Sequence, residues 1–137
     1  MTAVRPTRWL GAMAADVVAV LVFAVAGRNA HDESSGAGTV VTIAAPFLIG
    51  LLVGWIVSWR AGYEPAAPRT GLVVWVATVV VGLALRRTVW DRGVALSFVI
   101  VTALVLGALL VGWRALWVFA HRHGGLESTS PPSKAER

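Results

Sequence analysis

The sequence predicts an all-α integral membrane protein with four transmembrane helices, and three observations lead to this fold class. Of the 137 residues, 57% are hydrophobic, and the mean hydropathy of +0.73 is too high for an ordinary soluble domain. The apolar residues come in four long blocks, separated by short stretches rich in Gly, Pro and charged residues. An internal repeat, the third observation, groups the four blocks into two hairpins.

The repeat is clearest in a run of five residues. Leu51 to Trp55, Leu-Leu-Val-Gly-Trp, recurs unchanged at Leu109 to Trp113. The same offset aligns Arg28 with Arg86. A duplicated helix pair explains this pattern better than chance does. Since each copy contains two spans, the hairpins are predicted to be tandem and parallel, related by a pseudo-twofold axis along the membrane normal.

The apolar blocks are long enough to cross hydrocarbon at about 1.5 Å of helix per residue, although the third is short and needs flanking residues. The first block follows a basic tail at residues 1–8, and its end resembles the cleavage site of a secretory signal. Asp16 within this block, and its part in the repeat, favour a retained span over a cleaved one. The predicted spans are residues 9–27, 39–59, 70–87 and 93–120, and a disordered cytoplasmic tail is predicted at 121–137.

Four spans place both termini on one side of the membrane, and the basic residues indicate which side. They are more numerous in the tails and in the connection between the second and third spans than in the other two loops. This distribution favours cytoplasmic termini. The strong preference for Arg over Lys is typical of GC-rich bacterial coding, so we expect a multi-pass protein of the bacterial plasma membrane.

Composition argues against several function classes. The net charge of +5 is carried in loops and tails, where it orients spans, so no nucleic-acid partner is expected. The absence of Cys rules out disulfides and thiol chemistry. No phosphate-binding loop, nucleophile elbow or paired intramembrane carboxylate occurs, and the three His lie in a loop and the tail. We therefore expect no enzymatic activity, catalytic residue, cofactor or metal site.

Asp16 is the strongest single candidate for a functional residue. It shares a helix face with Ala12, Ala19 and Phe23, and a carboxylate at this depth costs roughly a few kcal/mol unless it is protonated, hydrated or paired. Arg114 lies on the same side of the membrane and is within reach. A structural pair of Asp16 with Arg114 is the favoured interpretation, and a proton or cation relay is the alternative.

A second candidate site lies near the opposite membrane surface and contains four basic side chains, Arg28, His31, Arg86 and Arg87. Arg28 and Arg86 are equivalent in the repeat, and Arg86 shares a helix face with Thr78 and Gly82 that is expected to point into the bundle. Two such Arg side chains can grip one anionic group, for example a phosphate headgroup or a carboxylate. Exposed loop charges that pair with nearby carboxylates are the alternative interpretation.

Small residues one turn apart predict close helix packing. Gly50 and Gly54 form a G-x-x-x-G motif on the second span, and Ala108 and Gly112 occupy the equivalent positions on the fourth. Such residues let helix backbones approach where lipid offers no hydrophobic driving force. The motif predicts packing of spans two and four about the pseudo-axis, or else a homodimer interface.

The order of these features resembles a known family of small prokaryotic membrane proteins. The resemblance is carried by Gly27-Arg28 followed by His31, by the run from Pro46 to Trp55, and by Gly112-Trp113-Arg114. Over about residues 16–115 the sequence is similar to the domain of unknown function 3054 family, common in actinobacteria. The resemblance implies a four-span membrane protein and supplies no activity, substrate or cofactor.

Two functions stay open at this point. Charges on faces of small residues favour transport or binding of an anionic ligand or lipid headgroup, with Arg28 and Arg86 holding the anion and Asp16 titrating. The small-residue faces and the lack of reaction chemistry favour a non-catalytic accessory or assembly subunit of a larger membrane complex. Its partners would be the lipid bilayer and either a second copy or another membrane protein.

Overall fold

The computed structural model describes residues 6–30, 36–89 and 93–124. Its elements are four α-helices: α1 (Pro6–Ala30), α2 (Ala37–Arg60), α3 (Pro68–Thr88) and α4 (Leu96–His123). All four are long and apolar enough to cross a membrane. The prediction of an all-α membrane protein with four spans is thus confirmed.

The helix boundaries differ from the predicted spans by a few residues. Pro68 precedes the predicted third span, but it occupies the first turn of α3, where the missing N–H of proline has no helical partner to lose. Gly93 was expected to open the fourth helix, whereas α4 begins only after Ala95, whose backbone is extended. The tail predicted at 121–137 starts too early, because α4 continues to His123. Residues 125–137 lie outside the described part of the chain.

The helices form a ring in which each helix packs against its neighbours in sequence, and α1 closes the ring on α4. Contact is most extensive between α2 and α3 and sparsest between α1 and α4. Among the described residues, no Cα atoms of diagonally opposite helices come within 8 Å of each other. Short connections favour this order, because helices joined by a few residues pack side by side as antiparallel neighbours.

One apolar cluster fills the centre of the ring, and the outer surface is apolar as well. Val20, Phe47, Val74, Leu106 and Leu110 are fully buried in the cluster. Large side chains also face outward from every helix, among them Val18, Leu52, Val80 and Leu104. A helix that is hydrophobic all round is expected where lipid takes the place of water.

Gly50 and Gly54 pack against α3 and not against α4. A Cβ atom at Gly50 would lie 2.8 Å from the carbonyl oxygen of Thr78, and a Cβ at Gly54 would lie 2.8 Å from the Cα of Val74. The predicted packing of spans two and four through these glycines is therefore wrong. The short α2–α3 connection makes α3 the adjacent helix, whereas α4 lies diagonally across the ring.

The equivalent small residues on α4 take no part in this packing. Ala108 is exposed, and a Cβ at Gly112 would meet nothing within 4 Å. Their assignment as helix-packing residues within the described bundle is wrong, because the face that carries them has no helix beside it. The pseudo-twofold relation between hairpins stays a prediction.

Replacing Gly54 by Ala is expected to leave the protein about 1–3 kcal/mol less stable than the matched variant Gly112→Ala. The added methyl at Gly54 forces α2 away from the Val74 backbone, whereas the methyl at Gly112 meets open space. Both substitutions gain the same helix propensity of about 1 kcal/mol, so this term cancels in the comparison. Reversible unfolding in mixed micelles measures the difference, and equal stabilities would contradict the assigned packing.

Candidate functional site

A buried ion pair links α1 to α4. The Arg114 guanidinium donates to both oxygens of Asp16, from Nη1 to Oδ1 at 2.9 Å and from Nη2 to Oδ2 at 2.7 Å. Both side chains are 0% exposed. This bidentate geometry is the strongest form of an Arg–carboxylate contact. The structure thus brings together the two residues that sequence reasoning proposed as a pair.

Further hydrogen bonds satisfy the polar groups of the pair. Trp113 donates from Nε1 to Oδ1 of Asp16 at 2.9 Å. Arg114 donates from Nη1 to the Leu110 carbonyl at 2.7 Å and from Nε to the Pro65 carbonyl at 3.0 Å. Burying two charges is favourable only when their remaining donors and acceptors are also paired. Since Pro65 belongs to the α2–α3 connection, the network joins three parts of the fold.

Aromatic rings and one glycine make room for the Arg114 side chain. Its guanidinium carbon lies 4.4 Å from the ring centroid of Trp113 and 5.6 Å from that of Trp55, within the range of cation–π attraction. On the α3 side, a Cβ at Gly71 would lie 2.9 Å from Cδ of Arg114. Sequence reasoning missed Gly71, Trp113 and Pro65 as parts of this site, because local sequence does not show which chain segments surround a buried charge.

The face of α1 that carries Asp16 is buried as predicted. Ala12, Ala19 and Phe23 are at most 8% exposed, and Asp16 is fully buried among them. Its carboxylate accepts three hydrogen bonds from side-chain donors. This geometry favours the structural interpretation of Asp16, since a relay needs a carboxylate that can exchange protons with water or a ligand. The relay stays a prediction with no support from these contacts.

A second feature is a cleft at the end of the bundle away from the termini, which we call the distal cleft. It has a volume of about 500 Å³ and lies among α1, the end of α3 and the start of α4. Its lining is mostly apolar with three polar side chains: Phe23, Ala26, Gly27, Arg86, Gly93, Ala95, Ser97, Phe98, Val101, Thr102 and Val105. Sites for small ligands commonly have this size and this composition.

Two polar side chains distinguish the distal cleft from a simple packing defect. The guanidinium of Arg86 lies 4.5 Å from the centroid of the Phe98 ring, so the ring holds the cation at the cleft wall. The hydroxyl of Thr102 is fully buried and has no hydrogen-bond partner. Thr78 and Thr88 instead donate to the carbonyls four residues earlier, at 2.7 and 2.8 Å, which is the usual solution for a helical threonine.

The structure assembles only part of the predicted basic site. Arg86 lines the distal cleft, and Thr78 and Gly82 on its helix face are buried as predicted. Arg28 does not line the cleft and donates to Oδ1 of Asn29 at 3.3 Å. Arg87 is exposed. His31 lies outside the described residues, and its role stays a prediction.

Ser97 and Thr102 were missed by sequence reasoning. A single hydroxyl in an apolar span is usually bonded to its own helix, so neither residue gives a signal until the helices are assembled. No metal centre emerges either: in residues 6–30, 36–89 and 93–124 no group of three or more His, Cys, Asp or Glu side chains is placed to hold a metal ion.

Four apolar helices in a ring, with a buried ion pair between α1 and α4, define a small polytopic membrane protein. Residues 13–117 match the model of the family described as "Protein of unknown function (DUF3054)". The chain belongs to this family, and the resemblance seen in the sequence is confirmed. Comparison with curated proteins and with solved structures gave no match.

Replacing Asp16 by Asn is expected to lower the free energy of unfolding by about 3–5 kcal/mol, because Arg114 is left as an uncompensated buried charge. Glu64→Gln is the matched control. It breaks the exposed contact of Glu64 with Arg8 at 3.5 Å, and the expected loss is at most about 1 kcal/mol. Detergent unfolding curves of the two variants measure the difference.

A double variant separates the charge effect from simple loss of packing. Asp16→Leu combined with Arg114→Met removes both charges, and it should recover part of the stability that Asp16→Asn loses. A double variant that is even less stable than Asp16→Asn would show that the cluster depends on the shape of the ionic groups more than on their charge balance.

Proposed function

We propose that this protein binds a ligand carrying a carboxylate or phosphate group in the distal cleft. One observation carries the proposal: the Arg86 guanidinium and the unpartnered, buried Thr102 hydroxyl line the same apolar cleft. A buried hydroxyl without a partner costs free energy, and an acceptor atom of a ligand would remove that cost.

The cleft supplies the elements that anion recognition needs. Arg86 offers a planar guanidinium that can donate two parallel hydrogen bonds to a carboxylate or phosphate. Thr102 adds one neutral donor, and Ser97, which is exposed, adds a second hydroxyl. The apolar walls lower the local dielectric constant and strengthen the attraction between cation and anion.

The packing favours binding at one end over passage through the bundle. Toward the termini, the helices that line the distal cleft continue into a layer in which Val20, Leu106 and Leu110 are each 0% exposed. The bonded pair of Asp16 and Arg114 follows directly below this layer. A translocated anion would have to separate these contacts, so we propose a ligand-binding protein and not a channel or carrier.

We further infer a plasma-membrane location with cytoplasmic termini, which makes the distal cleft open toward the outside. The excess of basic residues in the tails and in the α2–α3 connection supports this orientation. Arg60 and Arg69, which flank that connection, are both exposed.

The native chain has no cysteine, so single cysteines report the orientation directly. Ala61→Cys lies in the α2–α3 connection and Gly93→Cys just before α4, and both positions are exposed. In intact cells, a thiol reagent that cannot cross membranes is expected to label Gly93→Cys and to spare Ala61→Cys until the cells are opened. The reverse pattern would contradict cytoplasmic termini.

The accessory-subunit interpretation has less support than ligand binding. Its main motivation was the motif of Gly50 and Gly54, which is used inside the bundle against α3. The remaining small-residue face, with Ala108 and Gly112 on α4, is open, but small residues alone do not identify a partner. Ligand binding is therefore the function that the geometry supports best.

Binding at the distal cleft is tested with the purified full chain and three probes: acetate, inorganic phosphate and short-chain phosphatidylglycerol. Arg86→Gln is expected to weaken binding of the preferred probe by about tenfold or more, and Thr102→Val by a smaller factor. Gly27→Leu should block the cleft, because Gly27 lines it and nothing lies within 4 Å of an added Cβ. Titration calorimetry measures the affinities.

Arg87→Gln is the matched control, since it removes the same charge from the next residue, which is exposed and outside the cleft. Equal weakening by Arg86→Gln and Arg87→Gln would indicate nonspecific surface charge, and failure of all three probes to bind would reject the proposal. Comparison of phosphatidylglycerol with inorganic phosphate distinguishes a lipid headgroup from a soluble anion.

A further inference from the structure

A second cleft lies at the other end of the bundle, where the two termini emerge, and we call it the termini-side cleft. Its volume is about 910 Å³. Three segments form it, the first turns of α1, the α2–α3 connection and the last turns of α4. It shares no lining residue with the distal cleft, so it is a separate site.

The floor of the termini-side cleft is apolar and held in place by the buried ion pair. Ala12 and Pro65 are buried there, and the Trp113 indole lies beside them. Trp113 donates to Asp16, and the Pro65 carbonyl accepts from Arg114. The hydrogen bonds of the Asp16–Arg114 pair therefore fix Trp113 and Pro65 in the floor of the cleft before a ligand binds. This reduces the conformational entropy lost on binding.

The rim is basic and its cations come from two different helices. Arg8 on α1 and Arg122 on α4 both line the cleft and are exposed. Arg8 contacts Glu64 only at the long distance of 3.5 Å, so an anion with more charge can compete for it. Two Arg and one Glu leave the rim with an excess of positive charge, and an anionic group between the two guanidinium groups would balance it.

Along the membrane normal, the basic rim and the apolar floor of the cleft follow the same order as the headgroup and acyl chains of a lipid. Arg8 precedes Ala12 by one helical turn, roughly 6 Å, and Arg122 follows Trp117 by a little more than one turn. Trp117 is 51% exposed along the wall, and the His121 ring packs 4.0 Å from it. Indole rings prefer the headgroup level of a bilayer, so the charged rim lies at the headgroups and the apolar floor reaches toward the acyl chains.

We propose that the termini-side cleft is a binding site for one anionic phospholipid. Its phosphate lies between Arg8 and Arg122, and its acyl chain packs along Trp113 and Trp117 at the α1–α4 seam. The backbones of α1 and α4 approach each other less than those of the other neighbouring helices, and the cleft of about 910 Å³ between them provides space for an acyl chain. A lipid fits better than a soluble phosphate because the floor offers apolar surface and no additional cation beyond the rim.

The test counts lipids retained by the full chain, purified in detergent and stripped of lipid, with native mass spectrometry. All proteins in this experiment carry Arg86→Gln, so that an anion bound in the distal cleft does not add to the lipid count. The result then tests the termini-side cleft independently of the proposed function of the distal cleft. The probes are short-chain phosphatidylglycerol, short-chain phosphatidylcholine and glycerol 3-phosphate. We expect one phosphatidylglycerol to be retained, with an affinity about tenfold or more above that for phosphatidylcholine, and glycerol 3-phosphate to bind weakly.

Two kinds of variant address the site. Arg8→Gln with Arg122→Gln is expected to weaken phosphatidylglycerol binding by about tenfold or more. Gly11→Leu fills the cleft without changing any charge, because Gly11 lines it, is exposed, and has nothing within 4 Å of an added Cβ. Should the double Arg variant fail to fold, Gly11→Leu decides the outcome.

Two controls are matched to these variants. The double variant Arg60→Gln with Arg69→Gln removes the same charge at the same end of the bundle but outside the cleft. Gly27→Leu adds the same side chain in the distal cleft. Both should retain phosphatidylglycerol like the parent. Unchanged retention in the Gly11→Leu variant, or equal losses in the Arg60 and Arg69 control, would overturn the proposal. Binding of glycerol 3-phosphate as tight as that of the lipid would overturn the lipid as the occupant.

Discussion

The bonded charges of Asp16 and Arg114 are the constraint on which the rest of the bundle depends. Neither side chain reaches water, so the fold must supply every partner that water would have supplied. It does so with an indole from α4 and a carbonyl from the α2–α3 connection. The network therefore fixes the position of a loop as well as two helices, and it crosses the interface between α1 and α4, where the two backbones approach each other least.

The α2–α3 interface and the α1–α4 interface are stabilised by different interactions. Between α2 and α3, Gly50 and Gly54 bring the backbones together, and close van der Waals contact replaces the hydrophobic drive that lipid removes. Between α1 and α4, charge and hydrogen bonding hold the helices with little backbone contact. Gly71 contributes to the α1–α4 interface, because the absence of a side chain at this position leaves space for the aliphatic part of Arg114.

Sparse contact between α1 and α4 also explains where the clefts lie. The polar network holds the seam only near its middle, so the helices leave space toward each end, and an apolar cleft with an Arg at its edge opens there. The distal cleft adds the buried hydroxyl of Thr102, which favours a compact polar group. The termini-side cleft is larger, about 910 Å³ against about 500 Å³, and its rim carries Arg8 and Arg122, which favours an amphiphile. The sparse contact between α1 and α4 thus leaves space for both proposed sites.

The sequence by itself determined the fold class, the four spans and the inward face of α1, because hydrophobic periodicity and the cost of a buried charge are local properties. It favoured a pair of Asp16 with Arg114 because both lie on the same side of the membrane, and the structure forms that pair. It did not determine which helices are neighbours. The motif of Gly50 and Gly54 predicted close helix packing, but it did not predict which helix packs there. A face of small residues is complementary to any helix backbone that approaches it. Only the tertiary structure decided that α3 takes this place, that Arg86 lines the distal cleft without Arg28, and that Thr102 lines it too. These are relations between distant segments, and they are set by how the whole ring packs.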